Sequence, residues 1–301
     1  LAYGIRVSGT KWTQAHGVKL NCFKYTQEFP PNDLDALERL LRMNRMRGGT
    51  AAVFIEPVGP ESGTTPLNKD FNKGVERLCR KYGALLVFDE VVTGFRIGMA
   101  GAQGYYGVSP DLTIFGKVIA GGYPGAGGVG GKKEYMKYLG AGLDSSGKKI
   151  HKALVGGTMS ANPLSCCAGY YTLEEIDKQN ACQKAGKMGD RLTEGLKALV
   201  QKHNLPFVVW NEGSICHLET VGTMHFSINW KKPWQIPGIL SATSERQKEM
   251  EHMGCAYMAE GLVTLAGSRL YTSAAYTPKM IDQALECFDK VFANVGIKTE
   301  G

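Results

Sequence analysis

The chain has 301 residues, of which 43% are apolar and 21% charged, with a formal net charge of +7. This composition is typical of a soluble globular protein with one large or two ordinary domains, and the length excludes a small disulfide scaffold. The basic residues are scattered and cluster only in pairs, so we expect no nucleic-acid partner. No apolar run approaches the roughly 18 residues that span a membrane, and no signal peptide opens the chain, so we expect no membrane anchor.

The cysteines indicate a reducing, cytoplasmic location. None of the 8 cysteines forms a C-x-x-C pair or a metal-ligand spacing, so we expect no metal site. Cys166 and Cys167 lie in a stretch of small apolar residues and are expected to fill the core. The first residue is Leu1 rather than Met, so we expect the natural protein to begin earlier.

The first elements in chain order alternate between helix and strand. Leucines at helical spacing predict a helix over residues 33–46, and the apolar run 51–55 predicts a buried strand. A second helix is predicted for 68–82, closed by Gly83, and a second apolar strand for 84–88. Strands that are apolar throughout, separated by helices, are typical of a parallel sheet buried on both faces.

Acidic residues follow both predicted strands. Glu56 comes directly after the first strand, and Asp89 with Glu90 comes directly after the second. Ligands of open parallel sheets bind at the carboxyl ends of the strands. The pattern therefore predicts a functional site at this edge, and a third short strand over 111–115 leads to Lys117 at the same edge.

The second half of the chain has a different pattern of predicted elements. After a polar, glycine-rich loop over 140–150, the predicted elements are helices at 161–178 and 181–203, short strands at 207–210, 214–219 and 223–228, and helices at 243–260 and 278–295. We place a domain boundary near residue 180, so that residues 1–180 form one domain and residues 181–301 form an α+β domain.

Five motifs occur in a fixed order along the chain. They are LLVFDEVVTGFR at 85–96, GAQGYYG at 101–107, PDLTIFGK at 110–117, GTMSANPL at 157–164 and YTSAAYT at 271–277. Together they resemble the class III (fold type I) aminotransferases that depend on pyridoxal 5'-phosphate (PLP), in particular the glutamate-1-semialdehyde aminomutase-like branch. The resemblance implies an α/β large domain, with a mostly parallel sheet flanked by helices and only partly present here, plus a C-terminal α+β small domain.

The resemblance implies the roles of three residues in cofactor binding. Lys117 corresponds to the lysine that forms a Schiff base with the PLP aldehyde and afterwards shuttles a proton. Such a lysine works best in a desolvated or cationic site that lowers its pKa, and its apolar flanks predict such a site. Asp89 corresponds to the buried carboxylate that holds the proton on the ring nitrogen, and Val91 to the apolar residue on the cofactor ring.

The resemblance also implies a second subunit. Thr158 corresponds to the threonine whose hydroxyl binds the cofactor phosphate of the neighbouring subunit, and Gly157 allows close approach. Each site then needs two chains, and a homodimer with shared active sites follows. Ordinary helix capping is the alternative reading of this segment.

Two further positions bear on the substrate. Glu61 resembles the glutamate of ordinary ω-aminotransferases, and Arg269 falls where many class III enzymes bind a substrate carboxylate. We expect Glu61 and Arg269 to pair until a dicarboxylate releases Arg269. Two unrelated surface charges are an equal alternative.

The sequence departs from the family in several places. The family's N-terminal phosphate loop and ring-stacking aromatic residue have no counterpart, and residues 8–10 and 15–17 only echo parts of it. Tyr276 replaces the usual His, and the loop at 140–150 is longer. These differences bear on which reaction is catalysed.

The expected function is amino-group transfer between small-molecule amino donors and acceptors, on a small amino acid or amino ketone, through the lysine Schiff base and pyridoxamine phosphate. An intramolecular aminomutase of the glutamate-1-semialdehyde type is the close alternative, and racemase chemistry is a third. A catalytically incomplete fragment that serves only as an interaction partner is the alternative outside enzymes.

Overall fold

The structure is a computed structural model that describes residues 24–59, 63–140, 142–143, 146–149, 151–220, 236–265 and 267–295. Four sequence predictions lie outside these residues: the partial phosphate-loop echo at 8–10, the echo at 15–17, the role of Glu61, and the strand at 223–228.

The first half of the chain builds a four-stranded sheet with helices. Its elements are α1 (Leu34–Arg45), β1 (Ala52–Ile55), α2 (Phe71–Tyr82), β2 (Leu85–Glu90), α3 (Gly101–Tyr106), β3 (Leu112–Phe115), a 3-10 turn (Lys117–Ala120), β4 (Gly128–Gly131) and α4 (Lys133–Met136), followed by a second 3-10 turn (Lys137–Leu139). The caps follow the sequence: Asp33 accepts a hydrogen bond of 2.7 Å from the N–H of Ala36, and Gly83 ends α2 in the left-handed region.

The strand order is β1-β2-β3-β4, with the first three parallel and β4 antiparallel to β3. Val87 and Phe88 are buried on β2, where they pair with β1 and β3 on either side. The expectation that every strand is buried on both faces is wrong for β1, because Phe54 is 53% exposed. The central strand is thus the one that carries Asp89 to the carboxyl edge.

The second half forms a separate antiparallel sheet with long helices. Its elements are α5 (Pro163–Lys178), α6 (Ala181–Lys202), β5 (Val208–Glu212), β6 (Ile215–Glu219), α7 (Ile236–Ala259), β7 (Arg269–Tyr271) and α8 (Pro278–Ala293). The strand order is β5-β6-β7. The predicted α+β layer is confirmed, while the boundary near residue 180, which falls between α5 and α6, stays a prediction.

Two hydrophobic cores stabilise these layers. One joins α1 and α2 to β1 and β2 around Val75 and Leu86, and the other joins α6, α7 and α8 to the second sheet around Leu196 and Tyr257. The predicted core position of Cys166 and Cys167 is wrong, because both are exposed on α5. Within the described part of the chain, no helix is long and apolar enough to cross a membrane.

Candidate active site

Asp89 lies near the carboxyl end of β2, paired in register with Ile114 of β3. Its Oδ1 accepts a hydrogen bond of 3.0 Å from the backbone N–H of Val91. Its Oδ2 has no hydrogen-bond partner among the residues that the structure describes. The resemblance implied a buried carboxylate, whereas Asp89 is half-buried in the single chain, so one oxygen is open to a further donor.

Glu90, the last residue of β2, fixes the loop that follows. Its side chain is 1% exposed. Its Oε2 accepts hydrogen bonds from the Thr93 hydroxyl (3.0 Å) and the Ala102 N–H (2.6 Å), and its Oε1 accepts two from Gln103 (3.2 and 3.3 Å). A buried carboxylate with four donors holds the loop rigidly against the strand. Sequence analysis gave Glu90 no role of its own, although a second acid at the end of an apolar run was a usable signal.

Lys117 lies just beyond the end of the neighbouring strand β3. The chain leaves β3 through an extended Gly116, and Lys117 opens the 3-10 turn with a φ of 50°, in the left-handed region. A non-glycine residue in that region is strained, and such strain concentrates at functional sites. The expected desolvated surroundings are not found in the single chain, because Lys117 is exposed and forms no ion pair with any described residue.

Val91 connects these two groups. A Cβ added to Gly116 would lie 3.0 Å from Cγ1 of Val91, so the glycine lets this half-buried side chain approach the backbone that carries Lys117. Directly beyond it, the rings of Phe95 and Phe115 pack with centroids 5.7 Å apart. The structure therefore brings Asp89, Val91 and Lys117 to the same sheet edge.

The turn that carries Gly157 and Thr158 is exposed throughout, and the described residues offer no partner to the Thr158 hydroxyl. The N–H of Ser160 donates to the carbonyl of Gly157 (2.9 Å), and the amide of Asn162 caps α5 by accepting from Ser165 N–H (2.9 Å). The contacts within the described part of the chain do not join Thr158 to Asp89 or Lys117.

Arg269 starts β7, where it pairs in register with His217 of β6, which in turn pairs with Trp210 of β5. Residues in register share one face of a sheet, so these three form a row. The indole N–H of Trp210 donates to the carbonyl of Gly63 (3.2 Å), and the rings of Trp210 and His217 stack 5.0 Å apart. The row of Trp210, His217 and Arg269 thus lies against the backbone at Gly63. Glu61 itself lies outside the described residues.

An open cleft of about 380 Å³ lies elsewhere, beside the α5–α6 junction, and is lined by Tyr171, Glu175 and Ala181 among others. It contains none of the predicted site residues, so we locate the site by the chemistry of Asp89 and Lys117 rather than by this cleft. Within the described ranges, no three His, Cys, Asp or Glu side chains cluster in a way that could hold a metal ion.

The chain matches the model of the family described as "Aminotransferase class-III" over residues 8–290. It therefore belongs to the class III aminotransferases, a family of PLP-dependent enzymes, and its fold is the PLP-dependent transferase fold type I. The fold class and cofactor expected from the motifs are confirmed by this membership.

Relatives and solved structures agree with the family. The chain is 41% identical over 282 residues to glutamate-1-semialdehyde 2,1-aminomutase 1 of Staphylococcus epidermidis, covering 93% of this chain and 60% of the relative. It is 36% identical over 284 residues to the Staphylococcus aureus protein of the same name, with the same coverage. An ω-transaminase from Sphaerobacter thermophilus superposes with a TM-score of 0.75 at 25% identity, over 93% of this chain and 60% of that one. The chain spans about 60% of the length of the curated relatives it matches.

The residues present fit PLP. A carboxylate with one unengaged oxygen suits the ring nitrogen, and an amine without an ion-pair partner suits the aldehyde. Asp89, on β2, and Lys117, just beyond the neighbouring parallel strand β3, supply these groups. Gly116 has no side chain, which lets Val91 approach the backbone next to Lys117.

Proposed function

We propose that the protein containing this chain transfers amino groups between small amino acids or amino ketones and 2-oxo acids, with PLP as cofactor. The observation that carries the proposal is the arrangement of Asp89 and Lys117 at one edge of the sheet, each with an unengaged functional atom among the described residues. Bound PLP supplies an electron sink for the electrons of a bond broken at the substrate carbon.

Asp89 acts on the ring nitrogen. Its Oδ2 would accept a charge-assisted hydrogen bond from the protonated ring nitrogen, while the Val91 N–H keeps Oδ1 in place. The hydrogen bonds of Glu90, the next residue, hold the backbone that follows Asp89 in place. Val91 packs on the ring face.

Lys117 has two tasks. In the resting protein its amine would hold the cofactor by condensing with the aldehyde, with loss of water. Once the substrate amine takes its place, the freed Nζ would accept a proton from the substrate carbon and return it. Both tasks need a neutral amine, and the exposure of Lys117 in one chain means that a covering element must exclude water from it.

We propose that this cover includes a second copy of the chain. In a homodimer, the exposed hydroxyl of Thr158, with Gly157 beside it, binds the cofactor phosphate of the neighbouring site. The exposed apolar side chains nearby, with Leu154 99% and Met159 57% exposed, support burial against a partner.

We further propose that Arg269 binds the second carboxylate of substrates such as glutamate and 2-oxoglutarate, with Glu61 as its partner in the resting state. The contact between Trp210 and Gly63 supports this pairing, because it holds the chain close after Glu61 against the row that contains Arg269. The seven free cysteines of the described residues support a reducing, cytoplasmic location.

An intramolecular aminomutase is the second candidate, and the names of the 41% and 36% identical relatives favour it. The two reactions differ in whether an external 2-oxo acid is needed. Racemase chemistry moves a proton without moving an amino group, and a non-catalytic role would leave the cofactor unchanged by any amino donor.

The test is an assay of the purified full-length protein with PLP, supplied either with glutamate-1-semialdehyde, with and without 2-oxoglutarate, or with glutamate, with and without pyruvate as the 2-oxo acid. Transaminase activity predicts amino-group transfer that depends on the 2-oxo acid. Isomerisation of glutamate-1-semialdehyde that needs no 2-oxo acid would replace the transaminase with the aminomutase. No spectral change of bound PLP with any amino donor would contradict both.

A further inference from the structure

The side chain of Arg96 joins the two halves of the chain. Its Nη1 donates to the hydroxyl of Ser214 (3.3 Å) and to the carbonyl of Thr272 (3.2 Å). Its guanidinium carbon lies 5.0 Å from the ring centroid of Tyr271, in cation–π contact. Arg96 follows β2, whereas all three partners belong to the second sheet and its connections.

Among the residues that the structure describes, this cation has only neutral partners. Arg96 is half-buried and has no carboxylate within ion-pair distance among the described residues. Burial lowers the pKa of Arg96, which reflects the cost of removing its charge from water. A cation held by a hydroxyl, a carbonyl and a ring is costly, so its placement calls for a reason beyond stability.

The backbone at Arg96 is also held against the sheet edge that carries Asp89 and Lys117. The preceding residue, Phe95, has a left-handed φ of 58° and packs its ring on Phe115, the last residue before Gly116. The thiol of Cys182 on α6 donates to the carbonyl of Phe95 (3.2 Å). Arg96 therefore extends from a point that cannot shift without disturbing the segment leading to Lys117.

At its other end, Arg96 touches the strand of Arg269. Side chains alternate along a strand, so Arg269 and Tyr271 lie on the same face of β7. The end of the strand is held by the Thr272 N–H, which donates to the Ser214 carbonyl (3.1 Å). Arg96 contacts both Ser214 and Thr272. It also contacts the ring of Tyr271, which is two positions from Arg269.

We infer that Arg96 is a positioning residue, which fixes β7 relative to the cofactor edge and so sets where Arg269 meets the second carboxylate of a substrate. This inference rests on the proposed function, in which Arg269 binds that carboxylate. Arg96 itself does not touch the substrate. Its loss is expected to weaken selection of dicarboxylates and to leave cofactor capture intact.

The test uses the full-length protein loaded with PLP and two non-reacting ligands of similar length, glutarate and butyrate. The measured quantity is the dissociation constant of butyrate divided by that of glutarate. This ratio reports the contribution of the second carboxylate to binding. Arg96→Met should reduce this ratio by about tenfold, because a displaced Arg269 would lose a charge-assisted hydrogen bond to the second carboxylate. Arg96→Lys should fall between Arg96→Met and the unchanged protein, because it keeps the charge without the planar group.

Two variants serve as comparisons. Arg191→Met removes an exposed arginine that pairs with Asp282 (2.8 Å) on the surface of the second half, and it should leave the ratio unchanged. Tyr271→Leu removes the ring under Arg96, and it should lower the ratio as Arg96→Met does. A role in stability alone would lower the folded fraction without changing a ratio of two dissociation constants.

The outcomes separate the two proposals. If Arg269→Met abolishes the preference for glutarate but Arg96→Met and Tyr271→Leu keep it, the positioning role is overturned and the proposed function stands. If Arg269→Met also keeps it, the proposed role of Arg269 is wrong, and the inference is overturned with it. Should Arg96→Met not fold, an unchanged ratio in Tyr271→Leu overturns the inference.

Discussion

The carboxylate of Glu90 occupies the space where a side chain on Gly101 would lie. A Cβ built on Gly101 would overlap with Oε2 of Glu90 and lie 2.9 Å from its Oε1. Glu90 is thereby able to accept from the N–H groups of Ala102 and Gln103, at the start of α3. The placement of the Glu90 side chain, next to Asp89, thus depends on Gly101, eleven positions further along the chain.

We predict that Gly101→Ala destabilises the protein by about 2–4 kcal/mol, because it adds a clash with a buried carboxylate to the strain of a left-handed alanine. Gly107→Ala is the matched control, since Gly107 has a similar φ of 62° with no atom within 4 Å of the added Cβ. It should cost about 1–2 kcal/mol for the backbone strain alone. Urea unfolding of both variants gives the difference, and equal losses would show that Glu90 does not need this space.

The turn that carries Lys117 is expected to depend on Gly169 of α5. A Cβ on Gly169 would overlap with the carbonyl oxygen of Ile119, so Gly169→Ala should push the helix off the turn. We predict a loss of about 1–3 kcal/mol in the free energy of unfolding, together with slower covalent capture of PLP.

The control for this prediction is Gly186→Ala in α6, where the added Cβ would lie at an ordinary 3.7 Å from Gly213. In a helix interior this change should stabilise by up to about 1 kcal/mol. Urea unfolding and the rate of PLP capture measure both effects. Normal stability and capture in Gly169→Ala would contradict the described packing of α5 on the turn.

Glu212 and Glu175 should contribute to stability with opposite dependences on pH. Burial raises the pKa of Glu212 above its ordinary 4.5, although a hydrogen bond from Tyr105 opposes the shift. The folded state then binds the proton more tightly than the unfolded state, so the contribution of Glu212 is favourable below pH 4.5 and is lost as pH rises through the raised pKa. Glu212→Gln should therefore gain stability relative to the unchanged protein between pH 4 and pH 7, by up to about 1 kcal/mol.

Glu175→Gln is the opposite case. Hydrogen bonds from Gln179 and Lys178 lower the pKa of Glu175, so its contribution is present above pH 4.5 and is lost as pH falls through the lowered pKa. This variant should lose stability at pH 7 and match the unchanged protein in acid. Urea unfolding across this pH range measures both, and parallel curves for the two variants would contradict the assigned burial of Glu212.

Much of the fold could be predicted from the sequence, because helix periodicity and capping are local. The helix at 33–46 was predicted within one residue of α1 at each end, and the Gly83 cap was found where expected. The strand β2 was predicted to begin one residue early and to end two residues early, because its apolar run starts at Ala84 and stops at Phe88. Its last two residues are acidic, and only the donors around Glu90 make burial of that charge possible.

The missed features depend on contacts between distant residues. Strand β4 (Gly128–Gly131) contains three glycines and leaves no side-chain pattern, yet its backbone pairs with β3. Arg96 meets Ser214 and Thr272 across 118 and 176 residues, a distance that no local pattern bridges. The exposure of Lys117 was missed for another reason: apolar flanks predict burial, but the neighbouring described residues leave the side chain exposed.

The most direct test of the account is reductive trapping of PLP on the full-length protein. After incubation with PLP, borohydride reduction makes the link to the lysine permanent, and peptide mapping by mass spectrometry locates it. We predict labelling at Lys117 that Lys117→Arg abolishes, whereas Lys152→Arg, at an exposed lysine with no assigned role, leaves it intact. Labelling spread over surface lysines and unchanged by Lys117→Arg would contradict the assignment of Lys117 as the cofactor lysine.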